Sequence, residues 1–206
     1  MQTMQRFSRG KALWWLVFSG GLLPLLFLIV QALFGTLGFN PVETINRFTG
    51  DWAFRFLLIA LAVTPLRVQL KWTWLGRFRR MLGLYAFFYM LLHLASFIVL
   101  DHFFDVGALW QEILQRPFIT VGAVAILLTI PLAVTSLRSV QRKMKAANWK
   151  RLHKTVYLIN ALALSHFFMM VKADYLKPQI YTVILVVLLG VRIMKGRLPA
   201  LHHLWR

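Results

Sequence analysis

Met81–Leu100 reads MLGLYAFFYMLLHLASFIVL, twenty residues without a lysine, arginine, aspartate or glutamate and with one histidine, His93. An α-helix needs about 20 mainly apolar residues to cross the hydrocarbon core of a bilayer. The stretch therefore predicts a membrane span and an all-α integral membrane protein. Pro117–Leu137 is equally free of charge. Working outward, four further spans are expected at Ala12–Phe34, Asp51–Leu66, His153–Val171 and Pro178–Met194. Arg55 and Arg192 shorten the apolar parts of the second and sixth spans, and both lie close enough to a helix end to snorkel. The expected architecture is a single domain over residues 1–206, a six-helix membrane bundle.

Composition agrees. The chain is 59% hydrophobic and 15% charged, against about 45–50% and about 25% in ordinary soluble domains. The first apolar run is too long for a signal peptide and lacks a small-residue cleavage site, so it is expected to stay as a span. There is no cysteine, which excludes disulfides, thiol catalysis, cysteine-held clusters and covalent c-type haem. No repeat, low-complexity tract or soluble domain is evident. Asn40-Pro41-Val42-Glu43 predicts the start of a short interfacial helix, with Asn as N-cap, Pro at the first position and an acid in the first turn.

A net charge of +18 would suggest nucleic acid in a soluble chain. Its distribution argues otherwise. Nineteen of the 24 lysines and arginines fall at the two termini and in the loops around 67–80 and 138–154. All six acids, Glu43, Asp51, Asp101, Asp105, Glu112 and Asp174, fall on the other side. The positive-inside rule accounts for this and places both termini in the cytoplasm, with no nucleic-acid partner needed.

An ionisable group inside a span is costly and is retained mostly for function. His93 and His166 each lie about two-thirds of the way outward along spans that run in the same direction. Two level imidazoles are what a haem iron needs as axial ligands. His153 stands 13 residues before His166, ~20 Å along a helix and ~140° out of phase with it, unless a local distortion near the helix end re-aims it. The position facing His153 carries Arg79 and Arg80, and arginine is a poor iron ligand. The inner site is left open between a five-coordinate haem, a differently ligated haem, a flavin and a quinone. Arg77, Arg79, Arg80, Lys150, Arg151 and Lys154 suit propionates or a flavin phosphate. His102 reads as interfacial, and His202 and His203 as solvated tail residues.

Several stretches in order, NPVETINRFTGDWAF (Asn40–Phe54), LAVTPLR (Leu61–Arg67), RRMLGLYAFFYMLLHL (Arg79–Leu94), RPFITVG (Arg116–Gly122) and the Thr135–His166 segment with NWKRLHKTVYL, resemble the haem-binding membrane subunits of periplasmic protein-methionine-sulfoxide reductase systems. These form part of the ferric-reductase-like transmembrane group. The resemblance covers nearly the whole chain. It implies one or two b-type haems on His93, His153 and His166, and residence in the bacterial inner membrane. It further implies electrons from the quinone pool, an association with FMN, and delivery to a periplasmic molybdopterin enzyme that repairs oxidised proteins. Unlike the wider group, the chain lacks the second inner histidine and ends soon after the sixth span, so it is not expected to use NAD(P)H itself. The expected function is a haem b electron conduit without substrate chemistry of its own. The rival readings are a stand-alone transmembrane ferric reductase and a small transporter using histidines as a proton relay.

Overall fold

The computed structural model describes residues 2–197, with side chains from 10 to 194. His202 and His203 lie outside the described residues, as does the tail after Arg197. The elements are α1 (Gln2–Leu33), α2 (Pro41–Gln69), a 3₁₀ turn (Thr73–Phe78), α3 (Arg79–Ser96), a π turn (Phe97–Asp101), α4 (Val106–Gln115), α5 (Pro117–Val134), α6 (Arg138–Lys143), α7 (Ala146–His153), α8 (Val156–Met170) and α9 (Leu176–Arg197). There is no strand among the described residues.

Four segments are long and apolar enough to cross a membrane: Gly10–Leu33, Thr73–Asp101, Pro117–Val134 and Leu176–Met194. The segments expected as second and fifth spans take a different form. Asn40 does cap a helix, its side chain accepting from Glu43 N at 3.1 Å while its amide donates to Glu43 Oε2 at 3.2 Å. That helix does not stop at the interface but continues for 29 residues as α2. The fifth segment is broken at Lys154–Thr155, so His153 ends the short α7 and α8 has only 15 residues.

Two antiparallel pairs organise the bundle: α2 lies along α3, and α5 along α8. Their shared core contains Phe54, Leu57, Leu61, Tyr89, Met90 and Ile159. Arg55 and Arg192 both find partners on neighbouring helices. Arg55 Nε donates to Tyr181 of α9 at 2.8 Å, and its guanidinium covers the Trp52 ring. Arg192 Nη1 donates to Tyr157 of α8 at 2.8 Å, and Nη2 to the Leu61 carbonyl at 2.5 Å. That carbonyl is available because the residue four positions on, Pro65, has no N–H. In a medium without water such a vacancy has to be filled by protein. α9 is thereby fixed to α2 at two levels.

A second repair holds α1. Pro24 interrupts its ladder, and the Tyr89 hydroxyl stands between two groups next to the break. It receives the Leu25 N–H and donates to the Gly21 carbonyl, both at 3.0 Å. A Tyr89→Phe substitution keeps the ring stacked on Phe56 but strands this pair. We expect a loss of about 0.6–1.5 kcal/mol, read as a lower thermal midpoint in detergent. An unchanged midpoint would mean that the ladder closes without the hydroxyl.

Candidate functional site

His93 and His166 are brought together. They come from α3 and α8, their ring centres lie 6.2 Å apart and their planes cross at 72°. The surroundings of the two rings match. His93 Nδ1 lies 3.0 Å from the Asn46 carbonyl of α2, and His166 Nδ1 lies 2.7 Å from the Phe118 carbonyl of α5. A carbonyl only accepts, so each Nδ1 carries the proton and each Nε2 keeps its lone pair. This is the second-sphere arrangement typical of metal-bound imidazoles, in which the outer N–H is tied down and the ligand made more basic.

Each ring also lies against a glycine four residues after its acceptor. A Cβ at Gly50 would come within 3.1 Å of His93 Nδ1, and one at Gly122 within 2.9 Å of His166 Nδ1. The carbonyl-to-histidine separations are 47 and 48 residues. The two arms are thus built alike, although no repeat is visible in the residue pattern. Asn46, Gly50, Phe118 and Gly122 were not singled out from sequence. The available signal was the near-equal spacing from each glycine to a span histidine.

The donor set fits a haem. Two neighbouring imidazoles, each with its Nδ1 proton committed to a carbonyl and its Nε2 lone pair left over, are a donor pair that could hold a haem iron. Both rings are half-buried, and Phe118 packs 6.2 Å from His166.

The inner region is different. His153, Arg79, Arg80, Ser136, Gln141 and Trp149 share the wall of a cavity of about 260 Å³. The expected juxtaposition of His153 with Arg79 and Arg80 is present, whereas Lys150, Arg151 and Lys154 do not line the cavity and Arg77 packs on Phe78. His153 stacks on Trp149 with centres 4.1 Å apart. Its Nε2 lies 3.1 Å from Thr135 Oγ1, which gives its own proton to the Pro131 carbonyl at 2.6 Å. Nε2 is therefore the protonated nitrogen here, the opposite tautomer from the outer pair. As placed, His153 is a hydrogen-bonded wall residue, and ligation through Nε2 would require it to leave Thr135. His102 stacks edge-on against Phe97 and lies 3.6 Å from Glu112, apart from the pair.

The family described as ferric reductase like transmembrane component matches residues 49–164. That range holds Gly50, His93, Gly122 and His153 and stops two residues short of His166. A protein-methionine-sulfoxide reductase heme-binding subunit MsrQ from Rhodospirillum rubrum is 48% identical over 191 residues, covering 89% of this chain and 92% of the relative. Proteins of the same name from Herminiimonas arsenicoxydans and Caulobacter vibrioides are 46% and 45% identical, each over 86% of this chain and over 83% and 84% of their own length.

The chain belongs to the MsrQ family. Within the ferric-reductase-like group, MsrQ membership accords with a membrane protein that is helical throughout its described elements and has four segments long and apolar enough to cross a bilayer. The match to the Rhodospirillum rubrum relative covers 89% of the chain and so extends beyond the part that the family description matches.

Proposed function

We propose that the chain is a haem-binding electron-transfer subunit that serves a methionine-sulfoxide reductase. The observation that carries this reading is the His93–His166 pair, with both Nδ1 protons committed to main-chain carbonyls and ring centres 6.2 Å apart. His93 and His166 would hold a non-covalent b-type haem, which supplies one-electron exchange when bound. The chain contributes orientation of both ligands, a largely apolar surround and fixed acceptors behind each imidazole. Nothing in this arrangement requires bond-making chemistry on a substrate.

The topology that suits this role has six spans, with α2 and α8 added to the four long apolar segments, and both termini in the cytoplasm of the inner membrane. α2 is ~43 Å long and α8 ~22 Å, so α8 crosses only with its flanking turns. The cavity beside His153 lies toward the basic cytoplasmic side and is the electron entry. Arg79 and Arg80 there suit an anionic or carbonyl-bearing carrier: a second haem with its propionates, FMN, or a quinone from the membrane pool. The acceptor outside is a periplasmic molybdopterin enzyme that reduces methionine sulfoxide in proteins.

Purified protein should show a Soret band that shifts on dithionite reduction. His93→Ala and His166→Ala should each remove the outer-site part of it. Full retention in both variants would mean that this pair does not hold haem. Vesicles containing the chain, reduced quinone and the soluble reductase separate a conduit from a stand-alone ferric reductase: the conduit reduces the enzyme, the alternative only ferric complexes.

A further inference from the structure

The two ligand arms differ in what surrounds the acceptor: the Asn46 carbonyl also accepts from Thr49 Oγ1 at 3.0 Å, and the Asn46 side chain is engaged as well. Asn46 accepts from His93 with its main-chain carbonyl and donates from its side-chain amide to Asp101 Oδ2 at 2.8 Å. Phe118, which plays the carbonyl role for His166, has no side-chain polar group to be held in this way. Asp101 is the last residue of the π turn that extends α3. Eight residues of regular α-helix would carry it ~80° around from His93. The wider π turn changes that phase and brings the carboxylate to Asn46, a use typical of such turns near functional sites.

The other acids of this face have different roles. Glu43 pairs with Arg47, Glu112 with Arg116, and Asp51 with Arg55 and Lys177. Asp105 caps α4 through Ala108 N, and Asp174 accepts from Leu176 N. Among the described residues, Asp101 forms no ion pair. Its charge is uncompensated, exposed on the outer face, and two hydrogen bonds from an imidazole.

We propose that Asp101 is a positioning residue that sets the reduction potential of the outer site. Its carboxylate ties the Asn46 turn of α2 to the turn that extends α3, so that the Asn46 carbonyl stays on His93 Nδ1–H, which keeps the imidazole electron-rich. Its negative charge also favours the oxidised state of iron, the more positive of the two. Both effects lower the potential, and both act on the His93 side alone. The inference rests on the His93–His166 haem reading given above.

The test is a redox titration of the Soret band on the full-length, haem-loaded protein. Asp101→Asn removes the charge, but its amide oxygen still accepts from Asn46. We expect Soret absorbance per protein as in the wild type and a midpoint moved to more positive potential. The difference from the wild type should shrink in high salt, because the charge is exposed. Asp105→Asn, four residues on and still able to cap α4, should leave the midpoint in place. Asn46→Ala keeps the main-chain carbonyl but releases Asp101. It should shift the midpoint in the same direction, and combining it with Asp101→Asn should add to the shift, because one variant removes the charge and the other the tether; it also serves as the test if Asp101→Asn loads poorly. An intact Soret band with an unmoved midpoint in both single variants overturns the role of Asp101, as does an equal shift in Asp105→Asn. Loss of the haem reading itself shows differently, as a full Soret band in the His93→Ala and His166→Ala variants.

Discussion

Replacing Gly122 with valine should remove the outer-site Soret absorbance about as completely as replacing His166. The argument is one of space. Even a single Cβ at Gly122 would lie 2.9 Å from His166 Nδ1 and 3.0 Å from Cε1. The obstructing group is not the end of a flexible chain but a flat ring held at 2.7 Å by the Phe118 carbonyl. To make room, the ring has to leave its acceptor or turn away from His93. Overpacking of about 1–3 kcal/mol corresponds to ~5–150-fold weaker binding, and valine adds two more methyl groups. Gly50 is more forgiving, because its added Cβ would lie 3.1 Å and 3.2 Å from the same two atoms of His93. The expected order of Soret loss is Gly122→Val, Gly122→Ala, then Gly50→Ala, measured per protein after purification in detergent. A Gly122→Val protein with wild-type absorbance would break the proposed construction of this arm.

His153→Leu should give the opposite phenotype, an intact outer site without supply. Leucine is close to histidine in bulk and can stay against the Trp149 ring. Thr135 Oγ1 already donates to Pro131, so removing the imidazole strands no donor. The bundle should therefore hold, and the His93–His166 absorbance with it. What disappears is the polar wall that His153 shares with Arg79 and Arg80 around the inner cavity. Reduction of the outer site by reduced quinone in vesicles should fall by an order of magnitude or more, while dithionite still reduces it fully. Quinone-driven reduction at the wild-type rate would take the entry route away from this cavity.

The apolar runs were legible because hydrocarbon permits few alternatives to a helix. Ala12–Phe34 and Pro117–Leu137 fall within a few residues of the apolar segments Gly10–Leu33 and Pro117–Val134, although α1 itself begins ten residues earlier, at Gln2. The level placement of His93 and His166 was legible for a related reason: depth along a span is a count of residues. The full extent of α2 was not. Asp51 and Arg55 looked like a boundary, and they become tolerable inside a helix only because Arg55 meets Tyr181 and Trp52. That partnership joins residues 126 positions apart. The break between α7 and α8 was hidden as well, since Lys154 and Thr155 are neither Gly nor Pro. The re-aiming of His153 follows from packing against Thr135 and Trp149 rather than from any local breaker. The glycines escaped notice because what matters at Gly50 and Gly122 is the ring opposite, which no single position announces.

The similarity of the two histidine arms has a consequence for biogenesis. Each arm is complete within one helix pair: α2 and α3 supply the acceptor, the glycine and His93, and α5 and α8 supply the same three parts for His166. Neither pair borrows from the other to orient its imidazole. The first arm can therefore be finished in the bilayer while the second, whose histidine lies 73 residues later in the chain, is still being synthesised. On this view cofactor capture does not have to organise the protein. It requires only that two independently completed halves meet.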